Sequence, residues 1–453
     1  MLYRKAERIL ENFKEGHKAL LVTGARQVGK TYLIRDFGKR NYEQFVEINF
    51  LKDQSAAKTL SQVTDTEDLF IRLSALSDKP LISGKTLFFL DEIQVVPDLV
   101  THMKFLVEDG RFRYILSGSM LGVELKGLRS QPVGFMDIHE MYPLDFEEFM
   151  IANNVQPAVT DYLKGCLEAR KPVEDSINER FHKLFRLYLI VGGMPEVVQK
   201  YVETHNLREV QDTQEQIIRQ YREDISKYDL GNKLYIKEVF DRIPSEINSK
   251  NKRFILKETN QKKRFEQYKN TFLWLKNAGV ALPVHVVEEP KVPLEISSKT
   301  NLFKLFLNDV GLLASMYEKD GVQLKILNNE LGINNGSIFE NAAAQELKAH
   351  GFDLYYYNNK KNGEVDFLIE INGNVVPIEI KSGKDYSRHQ ALSNLLSNKD
   401  YNIKESFVMA QCNVREESGI TYLPVYMLCF FKRTQVADNL IYKLDMSDIE
   451  VPS

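Results

Sequence analysis

The strongest constraint on the fold is a glycine-rich stretch near the N-terminus. Residues 24–31 read GARQVGKT and match the phosphate-binding pattern G-x-x-x-x-G-K-[ST] at every fixed position. The apolar run 19–23 precedes them, and a helical pattern follows. A strand, a tight loop and a helix in this order form a phosphate cradle, because the loop N–H groups and the helix N-terminus face the anion together. The sequence therefore predicts a nucleotide-binding α/β domain.

The residue types of this loop suit that chemistry. Gly24 and Gly29 allow the backbone to turn around phosphate oxygens, Lys30 reaches the β- and γ-phosphates, and Thr31 offers a hydroxyl to Mg²⁺. We also assign the loop residues between the two glycines to nucleotide binding: Ala25, Arg26, Gln27 and Val28. The predicted cofactors are ATP and Mg²⁺.

A second acidic element follows a continuous apolar run at 87–90, which is typical of a strand buried on both faces of a parallel sheet. Asp91 and Glu92 stand at its C-terminal end, where open α/β sheets bind ligands. We expect Asp91 to hold Mg²⁺ through water and Glu92 to orient the attacking water as a base. Alone, the pair could also be an acidic loop after a core strand.

Polar residues also end the next strand, at 111–120. Ser117 or Ser119 could sense the γ-phosphate, or could be an ordinary serine between a strand and a loop. Arg129 is a candidate arginine finger, although solvated arginines are common.

Strand patterns near 19–23, 45–49, 86–90, 112–117 and 135–140 alternate with helical patterns. They predict a five-stranded, mainly parallel, doubly wound sheet in a P-loop domain over residues 1–150. Residues 151–228 have a helical pattern and are predicted to form a lid beside the nucleotide. Two arginines of this lid, Arg219 and Arg222, could face the nucleotide or a neighbouring subunit; the simpler interpretation is a solvated helix face.

From residue 229 to residue 324 short helices precede short strands, which is the pattern of a winged helix. Its segment Lys250–Lys269 holds eight Lys or Arg and two Glu, a local charge of +6. Such a segment could follow DNA phosphates, or could be a solvated lysine-rich loop.

Residues 325–453 contain a strong hairpin signal. Asn372-Gly373 between two alternating segments predicts a type I′ turn, which places Ile371 opposite Asn374. If no bulge intervenes, the same register places Asp366 opposite Glu379. The apolar residues of the first strand, Val365, Phe367 and Ile369, then point to the other face.

Two carboxylates directly opposite each other destabilise a sheet unless a cation offsets them. Lys381 could do so, and so could a divalent metal, because hard cations prefer oxygen ligands. Asp followed by Glu-x-Lys on adjacent antiparallel strands resembles the metal site of restriction-endonuclease-like nucleases. The resemblance implies Asp366, Glu379 and the Ile380 carbonyl as Mg²⁺ ligands, with Lys381 as a catalytic residue acting on the attacking water. Alternatively, these side chains form the polar face of an exposed hairpin.

The chain resembles the bacterial and archaeal AAA-type ATPases that carry a C-terminal domain of unknown function. The resemblance runs nearly end to end through GARQVGKT, LFFLDEIQ, ILSGS, YPLDFEEF, VGGMPEV, LFLNDVGLL, FENAAAQEL and GEVDFLIE…IEIKSG, with a loose match around Arg129. It implies a P-loop ATPase domain followed by a winged helix and a restriction-endonuclease-like α/β domain. Such nuclease-like sites often add a glutamate from the preceding helix, here Glu340, which could instead close a capping box with Ser337.

Composition limits the partners. The net charge of −3 means that any DNA-binding surface must be local. Three cysteines without metal-ligand spacing, and the lack of an apolar run near about 18 residues, predict a cytoplasmic protein with no membrane partner.

Two hypotheses follow for function. The first is an ATP-hydrolysing protein that acts on DNA, with a possible metal-dependent nuclease site. The second is a nucleotide-dependent switch whose C-terminal domain is an inactive binding module for a protein partner. Assembly into an oligomer is compatible with both.

Overall fold

The computed structural model describes residues 2–63, 65–118, 134–228, 233–248, 254–255, 271–317, 321–330 and 336–433. The five predicted N-terminal strands form one sheet in which every pairing is parallel, in the order β2-β3-β4-β1-β5. The strands are β1 (Ala19–Thr23), β2 (Gln44–Asn49), β3 (Thr86–Asp91), β4 (Arg113–Ser117) and β5 (Met136–Glu140). The predicted parallel α/β sheet is confirmed.

Alternating side chains of the central strands supply two separate cores. Leu87 and Phe89 pack on one side of the sheet, whereas Phe88 and Leu90 pack on the other. Helices cover both sides, as the doubly wound prediction requires. They are α1 (Glu7–Glu15), α2 (Lys30–Asn41), α3 (Gln54–Ser61), α4 (Thr66–Ala75) and α5 (Pro97–Asp109).

Helices continue up to residue 248. They are α6 (Phe146–Ala152), α7 (Pro157–Glu168), α8 (Asp175–Val191), α9 (Pro195–Thr204), α10 (Leu207–Tyr228) and α11 (Lys233–Asn248). The turn between α8 and α9 is packed closely against the loop before α6. Leu144 N donates to the Gly193 carbonyl at 2.7 Å, and a Cβ on Gly193 would lie 2.0 Å from the Leu144 oxygen. Only glycine fits at this crossing.

The rest of the chain builds a nine-stranded mixed sheet, in the order β13-β14-β12-β11-β10-β9-β7-β8-β6. Its strands are β6 (Phe254–Ile255), β7 (Ala281–Val287), β8 (Ser298–Leu307), β9 (Tyr355–Asn359), β10 (Gly363–Ile371), β11 (Asn374–Ile380), β12 (Phe407–Ala410), β13 (Arg415–Glu417) and β14 (Ile420–Pro424). Its helices are α12 (Leu294–Ser297), α13 (Val310–Tyr317), α14 (Val322–Leu327), α15 (Gly336–Ala349) and α16 (Gln390–Ser397), with a helical segment at 271–277 before β7.

This sheet joins two regions that the sequence analysis separates. Strand β7 of the predicted winged helix pairs in parallel with β9 of the predicted nuclease-like domain. The predicted boundary between residues 324 and 325 falls inside α14. The C-terminal half is therefore one mixed sheet, and its assignment to a winged helix plus a nuclease-like fold stays a prediction.

The hairpin between β10 and β11 has the predicted turn and register. Asn372 and Gly373 both have positive φ, 50° and 71°, and Ile371 pairs with Asn374. One expectation is wrong: Val365 packs on the opposite face from Phe367. The register of β10 against β9 shifts between Val365 and Leu368, and a bulge of this kind turns the following side chains to the other face.

Among the described residues, none of the helices combines the length and the apolar character that a membrane span requires.

The crossing at Gly193 yields a stability prediction. Gly193→Ala should lower the free energy of unfolding by at least about 2 kcal/mol, because its methyl group meets backbone that cannot move aside. Gly165→Ala, at an exposed position of α7 whose Cβ would meet no atom within 4 Å, should be neutral or stabilising by about 0.5–1 kcal/mol. Thermal and urea unfolding of both variants measure the difference, and equal stability of the two would contradict the tight packing.

Candidate nucleotide site and a buried carboxylate cluster

The loop between β1 and α2 has the conformation that its sequence requires. Gly24 and Gly29 have φ of 129° and 94°, in the region that favours glycine. A Cβ on Gly24 would lie 2.2 Å from the Met141 oxygen, so close packing as well as phosphate geometry selects glycine there. The loop therefore forms a cradle at the N-terminus of α2, which begins at Lys30.

The predicted Mg²⁺-side residues meet at one end of this cradle. Thr31 Oγ1 lies 3.4 Å from Asp91 Oδ2, which also accepts from Asn49 Nδ2 at 2.7 Å. The Ser117 hydroxyl, fully buried, donates to the other Asp91 oxygen. The structure thus places Ser117 where it orients Asp91.

Lys30 lies under the loop. Its Nζ donates to the carbonyls of Gly24 and Ala25, at 2.9 and 2.7 Å. Burial lowers the pKa of Lys30 to about 8, against the opposing effect of Glu92 and Asp91. The Lys30 ammonium therefore lies against two backbone carbonyl oxygens, which phosphate oxygens can replace as its hydrogen-bond acceptors.

Glu92 directly follows β3 in a left-handed conformation, with φ of 59°. Such a conformation is uncommon for a residue other than glycine, and observed outliers of this kind concentrate at functional sites. The Gln94 amide donates to its carboxylate. Glu92 lines the same cleft as Lys30 and Thr31, as a base for the attacking water requires.

The cleft has a volume of about 830 Å³ and extends from Asp91 to the start of α9 at Pro195 and Glu196. Asn49 and Arg4 are among the residues lining the cleft that were not predicted as site residues. Asn49 ends β2, so the rule that ligands bind at the carboxyl ends of parallel strands could have found it. Arg4 belongs to no sequence motif that could have indicated its place in the cleft.

Arg4 is buried and ties the N-terminal segment to the phosphate loop. Its Nη1 donates to the Val28 carbonyl at 2.8 Å, its Nη2 to the Tyr142 carbonyl at 2.6 Å, and its Nε to Glu148 at 3.2 Å. These bonds fix the loop from the side that faces α6.

The outer side of the loop contacts α10. Arg26 pairs with Asp224 at 2.7 Å, and the Gln27 amide donates to Gln220 at 2.5 Å. The Tyr221 hydroxyl donates to the Arg26 carbonyl at 3.2 Å. The helical region therefore touches the loop directly.

The turn before β7 reaches the same loop. A Cβ on Gly279 would lie 2.7 Å from Ala25 N, so the C-terminal half approaches the phosphate cradle with no room for a side chain.

The two lid arginines fit the simpler interpretation. Arg222 pairs with Asp241 at 2.8 Å, and Arg219 is exposed. Ser119, Arg129 and, apart from residues 254–255, the segment Lys250–Lys269 lie outside the described residues.

The structure also brings together the predicted residues of the hairpin. Asp366, Glu379 and Glu340 are all buried, with 8%, 6% and 4% of their surface exposed. Asp366 accepts from Ile380 N at 2.9 Å, and Lys381 pairs with Glu379 at 2.7 Å. The alternative of a solvent-exposed polar face is therefore wrong.

Lys304, on β8, lies among these carboxylates and was not predicted. Its Nζ lies 2.9 Å from Glu364, 3.7 Å from Glu340 and 3.7 Å from Asp366. Glu340 therefore faces the cluster, while the Ser337 hydroxyl donates to Asn248 at 2.7 Å. The contacts favour the cluster over the capping box for Glu340.

The cluster shifts the acidities of its members. Burial, reinforced by Asp366, raises the pKa of Glu379 to about 8, with Lys381 and Lys304 opposing the shift. Burial alone would lower the pKa of Lys304, but Glu340, Glu364 and Asp366 raise it above its usual range. Across the described part of the chain, no group of three or more His, Cys, Asp or Glu is arranged to hold a metal ion.

Comparison with known proteins agrees with the N-terminal assignment. Residues 16–150 match the family model of an AAA domain. Residues 182–325 match a domain of unknown function, DUF8612, and residues 335–428 match another, DUF4143. No curated protein matches this chain.

Several solved structures are similar. A Walker-type ATPase of Pyrococcus abyssi, PABY2304, is 15% identical, with 70% of this chain and 96% of that chain covered and a TM-score of 0.42. The ORC1 protein of Aeropyrum pernix in complex with DNA is 14% identical, with 70% and 93% covered and a TM-score of 0.26. Cdc6p of Pyrobaculum aerophilum is 12% identical, with 72% and 95% covered and a TM-score of 0.25.

The parallel sheet, the phosphate cradle and the family match define the class of the N-terminal part. It is an AAA-type P-loop ATPase domain. The family models that match the two following regions describe domains of unknown function.

The lowered pKa of Lys30 predicts a pH dependence of nucleotide binding. Phosphates require the ammonium form, which the nucleotide-free protein loses as the pH rises through about 8. Affinity for ATP should therefore fall above pH 8, by up to about tenfold per pH unit, and binding near pH 8 should take up protons. Calorimetry in buffers of different ionisation enthalpy measures this uptake. Lys30→Arg should remove it, and its absence in the unmodified protein would contradict the account.

Proposed function

We propose that this protein binds ATP with Mg²⁺ and hydrolyses it, and that its nucleotide state is passed to the C-terminal sheet. The observation that carries the first part is the meeting of Lys30, Thr31, Asp91 and Glu92 at one end of a single cleft. Positioning and charge stabilisation account for most of the catalysis of phosphoryl transfer, and these four side chains supply both.

Each side chain has a separate task. Lys30 leaves its two carbonyl partners and binds the β- and γ-phosphates, while the N–H groups of the loop and of α2 hold the remaining oxygens. The Thr31 hydroxyl and the Asp91 carboxylate fit Mg²⁺, because they are neighbouring oxygen donors with Asp91 fixed by Asn49. The metal would neutralise charge on the phosphates. Glu92 accepts the proton of the attacking water.

The second part of the proposal is supported by contacts on the outside of the loop. Arg26 and Gln27 bond to α10, and Ala25 touches the turn at Gly279. A nucleotide that reorders the loop would change both contacts. We infer that α10 and this turn transmit nucleotide state, with α7 to α10 acting as the lid.

DNA is the partner that we propose for the C-terminal half, through the basic segment Lys250–Lys269 of a winged-helix-like region. A protein partner is the alternative. Cleavage of DNA by Glu340, Asp366, Glu379 and Lys381 is not part of this proposal, because Lys304 lies among these residues.

Two substitutions separate binding from hydrolysis. Lys30→Ala should abolish ATP binding and turnover, whereas Glu92→Gln should keep the affinity and lower kcat by at least about 100-fold. Glu43→Gln, an exposed carboxylate that pairs with Lys85, is the matched control and should leave both unchanged. Titration with a fluorescent ATP analogue and a phosphate-release assay measure the two quantities. Unchanged kcat in Glu92→Gln would remove it from the role of base.

DNA should stimulate the ATPase if the coupling is correct. We expect duplex DNA at low salt to raise the hydrolysis rate, and replacement of Lys262, Lys263 and Arg264 by Gln to remove the stimulation without changing the basal rate. Rates measured between about 50 and 200 mM salt should show the stimulation fall steeply. Hydrolysis that is indifferent to DNA at every salt concentration would rule out this partner and favour a protein.

A further inference from the structure

The Lys304 ammonium lies among the carboxylates that were considered above as ligands of a divalent cation. It is 2.9 Å from Glu364 and 3.7 Å from both Glu340 and Asp366. Two of these carboxylates, Glu340 and Asp366, are candidate metal ligands, and the third candidate is Glu379. Lys304 is 0% exposed, so the burial of its charge requires these carboxylates as neighbours.

Lys304 is also held in this position by its surroundings. Its strand, β8, is fixed to α15 by two bonds: Leu307 N donates to Asn341 Oδ1 at 2.8 Å, and Asn341 Nδ2 donates to the Leu307 carbonyl at 3.0 Å. The Lys304 ammonium also lies 4.9 Å from the ring centre of buried Tyr356. The Lys304 ammonium is therefore enclosed by protein on the sides that these residues form.

A metal ion and this lysine would compete for the same carboxylates. Mg²⁺ shared by Glu340 and Asp366 would lie about 2.0–2.1 Å from each oxygen, which places it within a few ångströms of the Lys304 ammonium. Like charges at that distance repel strongly in a low-dielectric interior. The residues present therefore do not fit a resident divalent cation, although Glu379 Oε2 has no hydrogen-bond partner within the described ranges.

We propose that Lys304 takes the place of the divalent cation, and that the C-terminal sheet binds its partner without metal-dependent cleavage of phosphodiesters. In this role Lys304 joins β8 to α15 and β10, because its charge is the shared partner of Glu340, Glu364 and Asp366. The inference goes beyond ATP hydrolysis and does not depend on it.

Metal binding by the full-length protein tests the proposal. Electron paramagnetic resonance counts bound Mn²⁺ without nucleotide. The unmodified protein and Asp366→Asn should bind the same number of ions. Lys304→Ala should bind one more, and Lys304→Ala with Asp366→Asn should lose it again. Lys299→Ala is the matched control, because Lys299 lies on the same strand, is exposed and pairs with Glu288. It should gain no ion.

Three results would overturn the proposal. One is an unmodified protein that loses a Mn²⁺ ion on Asp366→Asn. Another is a Lys304→Ala variant that folds, by circular dichroism, and gains no ion. The third is cleavage of DNA by the unmodified protein that disappears in Asp366→Asn. If Lys304→Ala does not fold, the number of Mn²⁺ ions bound by the unmodified protein and by Asp366→Asn still tests the proposal.

Discussion

The crossing at Gly193 is the constraint on which the arrangement of the three parts depends. The Gly193 carbonyl accepts from Leu144 N at 2.7 Å, and its N–H donates to Asp309 Oδ2 at 2.6 Å. One residue, Gly193, therefore connects the loop before α6, the start of α9 beside the nucleotide cleft, and the start of α13 in the C-terminal half. Asp309 is fully buried, and burial raises its pKa to about 6 despite hydrogen bonds from Gly193 and Leu312. Those bonds satisfy a carboxylate that would otherwise be costly to bury.

Buried charge is handled differently at the two sites. In the nucleotide cleft the Lys30 ammonium donates to two carbonyl oxygens, and burial lowers its pKa, so bound phosphates would stabilise its charged form. In the carboxylate cluster Lys304 already has carboxylate partners, so its charge is used within the fold. The first lysine is available to a ligand, and the second completes the structure. We infer from this contrast that the first site carries out chemistry and that the second has a binding or structural role.

How much of this could be read from the sequence depends on how local each feature is. The phosphate loop and the Asn372-Gly373 turn were predictable, because a few neighbouring residues determine their backbone. The bulge in β10 that turns Val365 away from Phe367 depends on pairing with β9 and leaves no local signal. Lys304 and Arg4 were missed for a related reason: each completes a site built by distant segments, through contacts to Glu364 and to Val28. Asn49 was predictable in principle from its place at the end of β2.

The central claim is that the phosphate loop passes nucleotide state to the C-terminal half through α10 and the turn at Gly279. Hydrogen–deuterium exchange of the full-length protein, with and without Mg²⁺ and ATP, tests it most directly, using Glu92→Gln to prevent turnover. The account predicts slower exchange in residues 24–31, in α10 and in residues 277–280, all on nucleotide binding. Protection confined to residues 16–150, with α10 and the turn unchanged, would contradict it.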